Sequence, residues 1–228
     1  MTKKPDDVKT MPAYTMASAA RLVGSKPSTL RTWFRGRDYK VRGETKTSRP
    51  VLPTLSRAGD PISFIDLIEA HVFLLIRQRY NIPMKNIRAA AEYLSKIKGS
   101  LTYLAHQDFY LESSHLILKI ENKLISLSER GQLVDKEILE SGLKQLSYGS
   151  DGYASEFYPR AGEAEQKEFL VSPTINFGRL CIASSGIGAD VIADRFFNGE
   201  KFSDIAVDYG VTVDKIEEAI RWHERLAA

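Results

Sequence analysis

The segment from Tyr14 to Arg35 constrains this chain most, because its residues spell two short helices joined by a turn. Met16, Ala19, Ala20 and Val23 recur at helical spacing and make one apolar stripe. Thr15 is placed to cap that helix, and Gly24 supplies the left-handed conformation that ends it. Pro27 suits a first helical turn, where its missing N–H is not needed, so a second helix starts near Lys26. On the second helix Leu30, Trp33 and Phe34 can face the first. Ser28, Thr29, Arg31, Thr32 and Arg35 then remain as candidates to meet base edges or phosphates. This is the pattern of a helix-turn-helix. An ordinary helical hairpin with a solvated basic face is the plain alternative.

Charge separates the two readings. The net charge of +3 conceals a segregation: residues 1–98 hold 19 Lys and Arg against 8 Asp and Glu, and residues 99–228 hold 13 against 21. A basic N-terminal part suits a polyanion such as duplex DNA, whose phosphates supply most sequence-independent affinity. The acidic remainder is a poor nucleic-acid surface.

After the helix-turn-helix, Tyr39-Lys40-Val41 and Val51-Leu52 are expected to pair as a short hairpin. The intervening residues carry Arg42, Lys46 and Arg49 among glycine, threonine and serine, and Arg37 and Lys40 lie just ahead. A basic, flexible tip beside a recognition helix is what a DNA-contacting wing requires. A disordered basic loop is the other reading. Residues 1–12 read as a flexible lead-in. Ile62 to Leu67 marks a helix start, with Ser63 as cap, Asp66 three residues on, and Ile62 and Leu67 as a staple. The helix that follows, to about Tyr80, is apolar on most sides and is expected to be buried under the helix-turn-helix and against a second copy. A further helix is expected from Pro83, with Ile87, Ala90, Ala91 and Leu94 on one face.

From Leu101 to about Val171 the apolar period changes to two. His115–Ile120 and Lys123–Leu127 flank Glu121-Asn122 as a tight hairpin. Further strands are expected at Gln132 to Val134, Leu143 to Tyr148, Ala154 to Phe157 and Glu168 to Val171, with a turn at Gly149-Ser150-Asp151-Gly152. The role of this β-rich part reads as a scaffold or dimer interface. Helix returns from Pro173 onward: Ile187 to Phe197, a second helix capped by Ser203 and ended at Gly210, and a third capped by Thr212 and running to about Arg225. The last two are spaced like another helix-turn-helix, but Asp214, Glu217, Glu218 and Glu224 would repel phosphates. They read as a protein-binding or packing module. The fold class is α+β, in three parts: residues 1–98 (a winged helix-turn-helix), 99–172 (antiparallel β-rich) and 173–228 (three helices).

Enzymatic and metal-binding classes find no support. His71, His106, His115 and His223 have no zinc-helix spacing, and the single cysteine, Cys181, permits neither an internal disulfide nor a thiolate-rich site. Gly186-Ile187-Gly188 is only a fragment of a glycine-rich loop, and Ser184 and Ser185 sit in no nucleophile-elbow pattern. No cofactor, metal or catalytic residue is expected. The longest apolar run, Val72 to Ile76, is far too short to span a bilayer, and Met1 to Thr10 has no signal-peptide core. The expectation is a soluble, cytoplasmic protein.

Residues 14–98 resemble the MerR winged helix through Ala19-Ala20-Arg21-Leu22, the Pro27-Ser28-Thr29-Leu30-Arg31 turn and Trp33. Residues 173–225 resemble a small domain of bacterial antitoxins, through Phe177-Gly178-Arg179, Gly186-Ile187, Val191 to Phe197, Gly199-Glu200, Ile205 to Gly210 and Ile216 to Ile220. The combination is similar to one group of VapB-type antitoxins. That resemblance implies an antitoxin that binds and neutralises a PIN-like ribonuclease toxin and represses the shared operon as a homodimer on operator DNA. Arg160 and Arg179 are its candidate toxin contacts, since an arginine can pair with the carboxylate cluster of a metal-dependent nuclease. Departures stand at Leu180, Ser184, Ser185 and Gly188, the last where a proline is usual, and at Phe34 for a common glutamate; at Lys26, where a capping serine is usual, Ser25 is the substitute cap. The alternative function is a MerR-like transcription regulator that senses a small molecule through its middle part; a structural interaction protein is the third.

Overall fold

The computed structural model describes residues 6–52, 54, 56, 59, 61–80, 102, 104–108, 142–159 and 167–227, with backbone alone at 78–80 and 227. The first elements are a helical turn, α1 (Asp7–Thr10), and a short strand, β1 (Pro12–Tyr14). Residues 6–12 are therefore structured, and the expected flexible lead-in is corrected. Lys9 is buried, and its ammonium donates to Asp151 Oδ1 and Oδ2 at 2.7 and 2.8 Å and to the Tyr153 carbonyl at 3.2 Å. No local pattern could announce this bond, because its partner lies 142 residues away.

The two helices follow as the spacing requires: α2 (Met16–Val23) and α3 (Pro27–Arg35). Thr15 Oγ1 accepts from the Ser18 N–H at 3.1 Å, and Gly24 closes α2 in the left-handed region at φ 73°. Lys26, not Ser25, occupies the N-cap of α3, and it makes no side-chain cap bond. Pro27, at the first helical position, leaves one donor fewer to satisfy.

The hairpin after α3 is formed by β2 (Arg37–Val41) and β3 (Glu44–Ser48), in the register Arg37 opposite Ser48, Tyr39 opposite Lys46 and Val41 opposite Glu44. This corrects the expected partner strand. Arg42 and Gly43, at φ 52° and 86°, make a two-residue turn of the kind that matches strand twist. Val51 and Leu52 are buried instead, their N–H groups both donating to the Trp33 carbonyl at 2.8 and 3.0 Å. Two adjacent apolar residues are better satisfied against the core than on an exposed hairpin. Gly36 fixes where the hairpin leaves α3: at φ 75°, a Cβ there would lie 2.1 Å from the Ser48 carbonyl oxygen.

β4 (Ile62–Ser63) pairs antiparallel with β1 and leads into α4 (Phe64–Tyr80). The capping box is present. Asp66 N–H donates to Ser63 Oγ at 3.1 Å, while Asp66 Oδ2 accepts from Ser63 N–H and Oγ, both at 2.9 Å, and from Thr54 Oγ1 at 3.0 Å. From Phe64 to Leu74 every residue of α4 is buried. One side meets the helix-turn-helix, where Phe73 lies edge-on to Trp33 at 4.7 Å. The other meets later parts of the same chain: Glu69 Oε1 accepts from Ala105 N–H at 2.8 Å, and the His71 ring lies 4.7 Å from Phe157.

Beyond α4 the described strands are β5 (Leu146–Tyr148), β6 (Ala154–Phe157), β7 (Phe169–Leu170) and β8 (Cys181–Ile182), paired β5 with β6 and β7 with β8. Phe157 and Val171 exchange backbone hydrogen bonds at 2.8 and 2.9 Å and join the two pairs. The expected hairpin at 115–127, the strand at 132–134 and the helix from Pro83 lie outside the described residues. Three helices follow: α5 (Ala189–Phe197), α6 (Phe202–Tyr209) and α7 (Val213–Ala227). Lys201 rather than Ser203 is the N-cap of α6, and α5 starts after Gly188 rather than at Ile187. The class is α+β, with seven α-helices and four antiparallel strand pairs among the described residues. The buried apolar side chains form one continuous cluster, from Leu30 and Trp33 through α4 to Phe157, Val171 and Trp222.

Candidate nucleic-acid interface

The buried side of α3 fixes its free side. Leu30, Trp33 and Phe34 are committed to the core, so Ser28 and Arg31 stand exposed and Thr29 and Thr32 half-buried. Thr32 Oγ1 donates to the Ser28 carbonyl at 2.9 Å, a bond within the helix that a base or phosphate can replace. Arg35 differs from its neighbours. Its Nη1 donates to the Ser56 carbonyl at 3.1 Å, so this guanidinium turns back toward the protein.

Below α3 the hairpin is exposed along both strands. Alternation places Arg37, Tyr39, Val41 and Lys46 on one face and Asp38, Lys40, Thr45 and Thr47 on the other. Thr47 Oγ1 donates to Asp38 Oδ1 at 2.6 Å, which ties the second face, and Arg37 N–H donates to Ser48 Oγ at 3.1 Å. Arg42 occupies the tip, and Arg49 follows β3; both are exposed. The structure thus gathers Ser28, Arg31, Arg37, Lys40, Arg42, Lys46 and Arg49 onto α3 and the hairpin that leaves it. These exposed cations and hydroxyl groups have the chemistry of phosphate positioning and base readout, with Arg37 and Lys46 on one face of the hairpin and Lys40 on the other.

A different surface lies at the junction of β1 and α2 with the C-terminal helices. Tyr14 Oη donates to the Gly178 carbonyl at 2.9 Å, and Arg21 Nη1 donates to the Leu226 carbonyl at 2.5 Å. Burial pushes the Tyr14 phenol well above its ordinary pKa, so it remains a hydrogen-bond donor. A cleft of about 270 Å³ opens beside these bonds, walled by Tyr14 and Leu22 on one side and by Phe177, Asp190, His223 and Leu226 on the other. Arg179 stands on its rim, exposed but engaged: Nη1 donates to Asp190 Oδ2 at 2.5 Å and Nη2 to Asn176 Oδ1 at 3.4 Å. Arg160 lies outside the described residues. Gly188 explains one departure noted in the sequence. A Cβ there would sit 2.2 Å from Asp190 Oδ1 and 2.4 Å from Asn176 Nδ2, so a proline could not coexist with this arrangement of the two side chains.

Two of the four carboxylates of α7 are paired within the helix: Arg221 bonds Glu217 and Glu218, and Arg225 bonds Glu218. Arg195 joins α5 to the turn after it and to α6 through Glu200 and Asp208, with its guanidinium 5.0 Å from the centre of the Tyr209 ring. Phe177, which opens the Phe177-Gly178-Arg179 motif of the antitoxin resemblance, is the most exposed large apolar side chain among the described residues. Its signal was an aromatic residue between Asn176 and Gly178, two residue types that favour tight turns.

Residues 12–91 match the family described as "Putative DNA-binding HTH domain", and residues 171–222 match "Protein of unknown function (DUF433)". The chain is 28% identical to "Putative antitoxin VapB45" of Mycobacterium tuberculosis, covering 92% of this chain and 93% of that protein. It is 25% identical to "Uncharacterized protein Rv2308" of the same organism, over 93% of this chain and 90% of the relative. The crystal structure of Rv2018 from Mycobacterium tuberculosis matches with a TM-score of 0.72 at 26% identity, covering 92% of this chain and 97% of that one. With a helix-turn-helix at its N-terminus and a DUF433 domain at its C-terminus, the chain is thus similar along nearly its whole length to a VapB-type antitoxin.

Proposed function

We propose that this chain is an antitoxin that binds a PIN-like ribonuclease toxin through its C-terminal half, holds operator DNA through its N-terminal part as a homodimer, and represses the operon encoding both. It acts as a regulator and not as an enzyme, in the bacterial cytoplasm. The observation that carries the reading is the separation of surfaces. The exposed cations of α3 and the hairpin occupy one part of the fold, while the excess of acidic residues belongs to residues 99–228. A polyanion and a protein partner can then be held at the same time without competing. The similarity to "Putative antitoxin VapB45" over 92% of the chain supports the antitoxin role. Two copies are required because one recognition helix reads only a few base pairs.

In this reading Arg31 and Ser28 read base edges in the major groove, and Arg37, Lys40, Arg42, Lys46 and Arg49 position the duplex through its phosphates, the hairpin acting as a wing. Arg179 is the toxin contact on the C-terminal side, together with Arg160. The test mixes the full-length chain with the PIN-like nuclease from the adjoining reading frame, and with duplex DNA from upstream of the gene. The expected result is stoichiometric suppression of RNA cleavage by a complex that still retards the DNA. A nuclease that remains fully active in the presence of excess chain would overturn the proposal.

A further inference from the structure

Phe177 is 87% exposed and sits on backbone that disfavours it. Asn176 and Phe177 have φ of 47° and 54°, and Gly178 of 78°, three consecutive residues in the left-handed region. Large L side chains avoid this conformation, and it persists only where the surroundings enforce it. Here they do: Tyr14 Oη clamps the Gly178 carbonyl at 2.9 Å, and the Arg179 guanidinium bonds the Asn176 side chain at 3.4 Å. The fold therefore holds a strained turn whose outcome is an aromatic ring in solvent. Below the ring lies the cleft between α2 and the C-terminal helices.

The apolar surface continues from there. His223 lines the cleft and its ring lies 6.4 Å from that of Phe197, which is 60% exposed; Val191, on the same helix, is 40% exposed. On α5, Asp194 flanks the patch as an exposed carboxylate, while Asp190, one helical turn before it, is held by Arg179. Across residues 167–227, ten carboxylates stand against seven Lys and Arg. This aromatic patch, with Asp194 beside it in an acidic part of the chain, is a poor surface for DNA, and its complement is a protein surface with an apolar pocket and a neighbouring basic group.

We infer that the Phe177 turn and the adjoining cleft are the docking anchor for the toxin, the Phe177 ring entering an apolar pocket of the nuclease while a basic residue beside that pocket faces Asp194 and the Arg179–Asp190 pair stays on the rim. The inference rests on the antitoxin reading and deepens it by naming the contact. Because Tyr14 and Leu22 wall the same cleft, the docked partner also touches β1 and α2, and none of the cations of α3 and the hairpin lines that cleft.

The test is calorimetric titration of the full-length chain with the purified PIN-like nuclease, for the wild type, Phe177→Gly and Phe197→Ala. Glycine keeps the positive φ available at position 177, so the turn remains intact without the ring. Both variants are expected to bind upstream duplex DNA like the wild type. Phe177→Gly is expected to raise the nuclease Kd about tenfold or more, and Phe197→Ala by a smaller factor. Wild-type binding with a Phe177→Gly Kd within about twofold of it would overturn the docking site and leave the antitoxin reading standing. Absence of binding by the wild type itself would overturn that reading and the docking site with it.

Discussion

At the scale of single residues, the buried charges decide how the N-terminal part is fastened. Asp151 is drawn upward in pKa by burial, but the Lys9 ammonium and the N–H groups of Asp6 and Tyr153 outweigh it, so the carboxyl lies below its ordinary range. Removing one member of such a pair strands the other charge. Lys9→Met should destabilise the fold by about 3–5 kcal/mol, and the double variant Lys9→Met, Asp151→Asn should recover much of the loss in denaturant titrations. Glu69 and His71, both buried on α4, titrate in opposite senses. Burial pushes Glu69 up to about 8 from 4.5, and burial lowers His71 to about 4 from 6.5. A raised carboxyl pKa gives stability that is complete below 4.5 and is lost as pH rises toward 8. A lowered histidine pKa gives stability that is lost as pH falls from 6.5 toward 4. Between pH 6.5 and 8 only the first of these two acts. Glu69→Gln keeps an acceptor for the Ala105 N–H, so its melting temperature should fall less over that window than the wild type's; a parallel decline would contradict the assignment. The sequence revealed Thr15, Gly24, Ser63 and Asp66 because caps act over three or four residues. It concealed Lys9 and Glu69 because their partners, Asp151 and Ala105, are remote in the chain.

At the scale of elements, legibility followed the length of the pattern. The stripe of α2, the buried side of α3 and the continuous apolar run of α4 each repeat over two turns or more, and each helix formed where its pattern placed it. The hairpin was misassigned because strands β2 and β3 carry no apolar alternation to mark a buried face; every residue but the half-buried Ser48 is exposed, so turn geometry sets their register. The apolar pair Val51-Leu52 looked like a strand and proved to be a plug beneath Trp33. Trp33 itself packs farther than expected, onto Phe73 of α4 rather than solely between α2 and α3. Trp33→Ala should therefore cost on the order of 3–5 kcal/mol and loosen α3 against α4. Chemical denaturation of the full chain measures the first effect, and a loss of DNA affinity larger than the unfolded fraction explains would register the second. A change below about 1 kcal/mol would mean that the indole is not part of the core.

At the scale of the whole molecule, the segregation of charge was plain from composition, but the way the two ends meet was not. Tyr14 to Gly178, Arg21 to Leu226 and Lys9 to Asp151 bind the helix-turn-helix part to the C-terminal part, and one apolar cluster runs through both. Each of these bonds joins groups with no sequence motif in common, so only the fold brings them together. Within the described residues the cations of α3 and the hairpin are separate in composition from the aromatic patch around Phe177, as the proposal of two simultaneous partners requires. The most direct test of that account is a salt-dependent titration of upstream duplex DNA with the full-length wild type, Arg31→Ala, Arg49→Ala and, as a cation on α7, Arg221→Ala. The account predicts that Arg31→Ala loses about 1–3 kcal/mol of specific binding, that Arg49→Ala weakens all sequences evenly and lowers the salt slope by about one, and that Arg221→Ala changes neither. Wild-type affinity for both N-terminal variants, or a loss confined to Arg221→Ala, would contradict it.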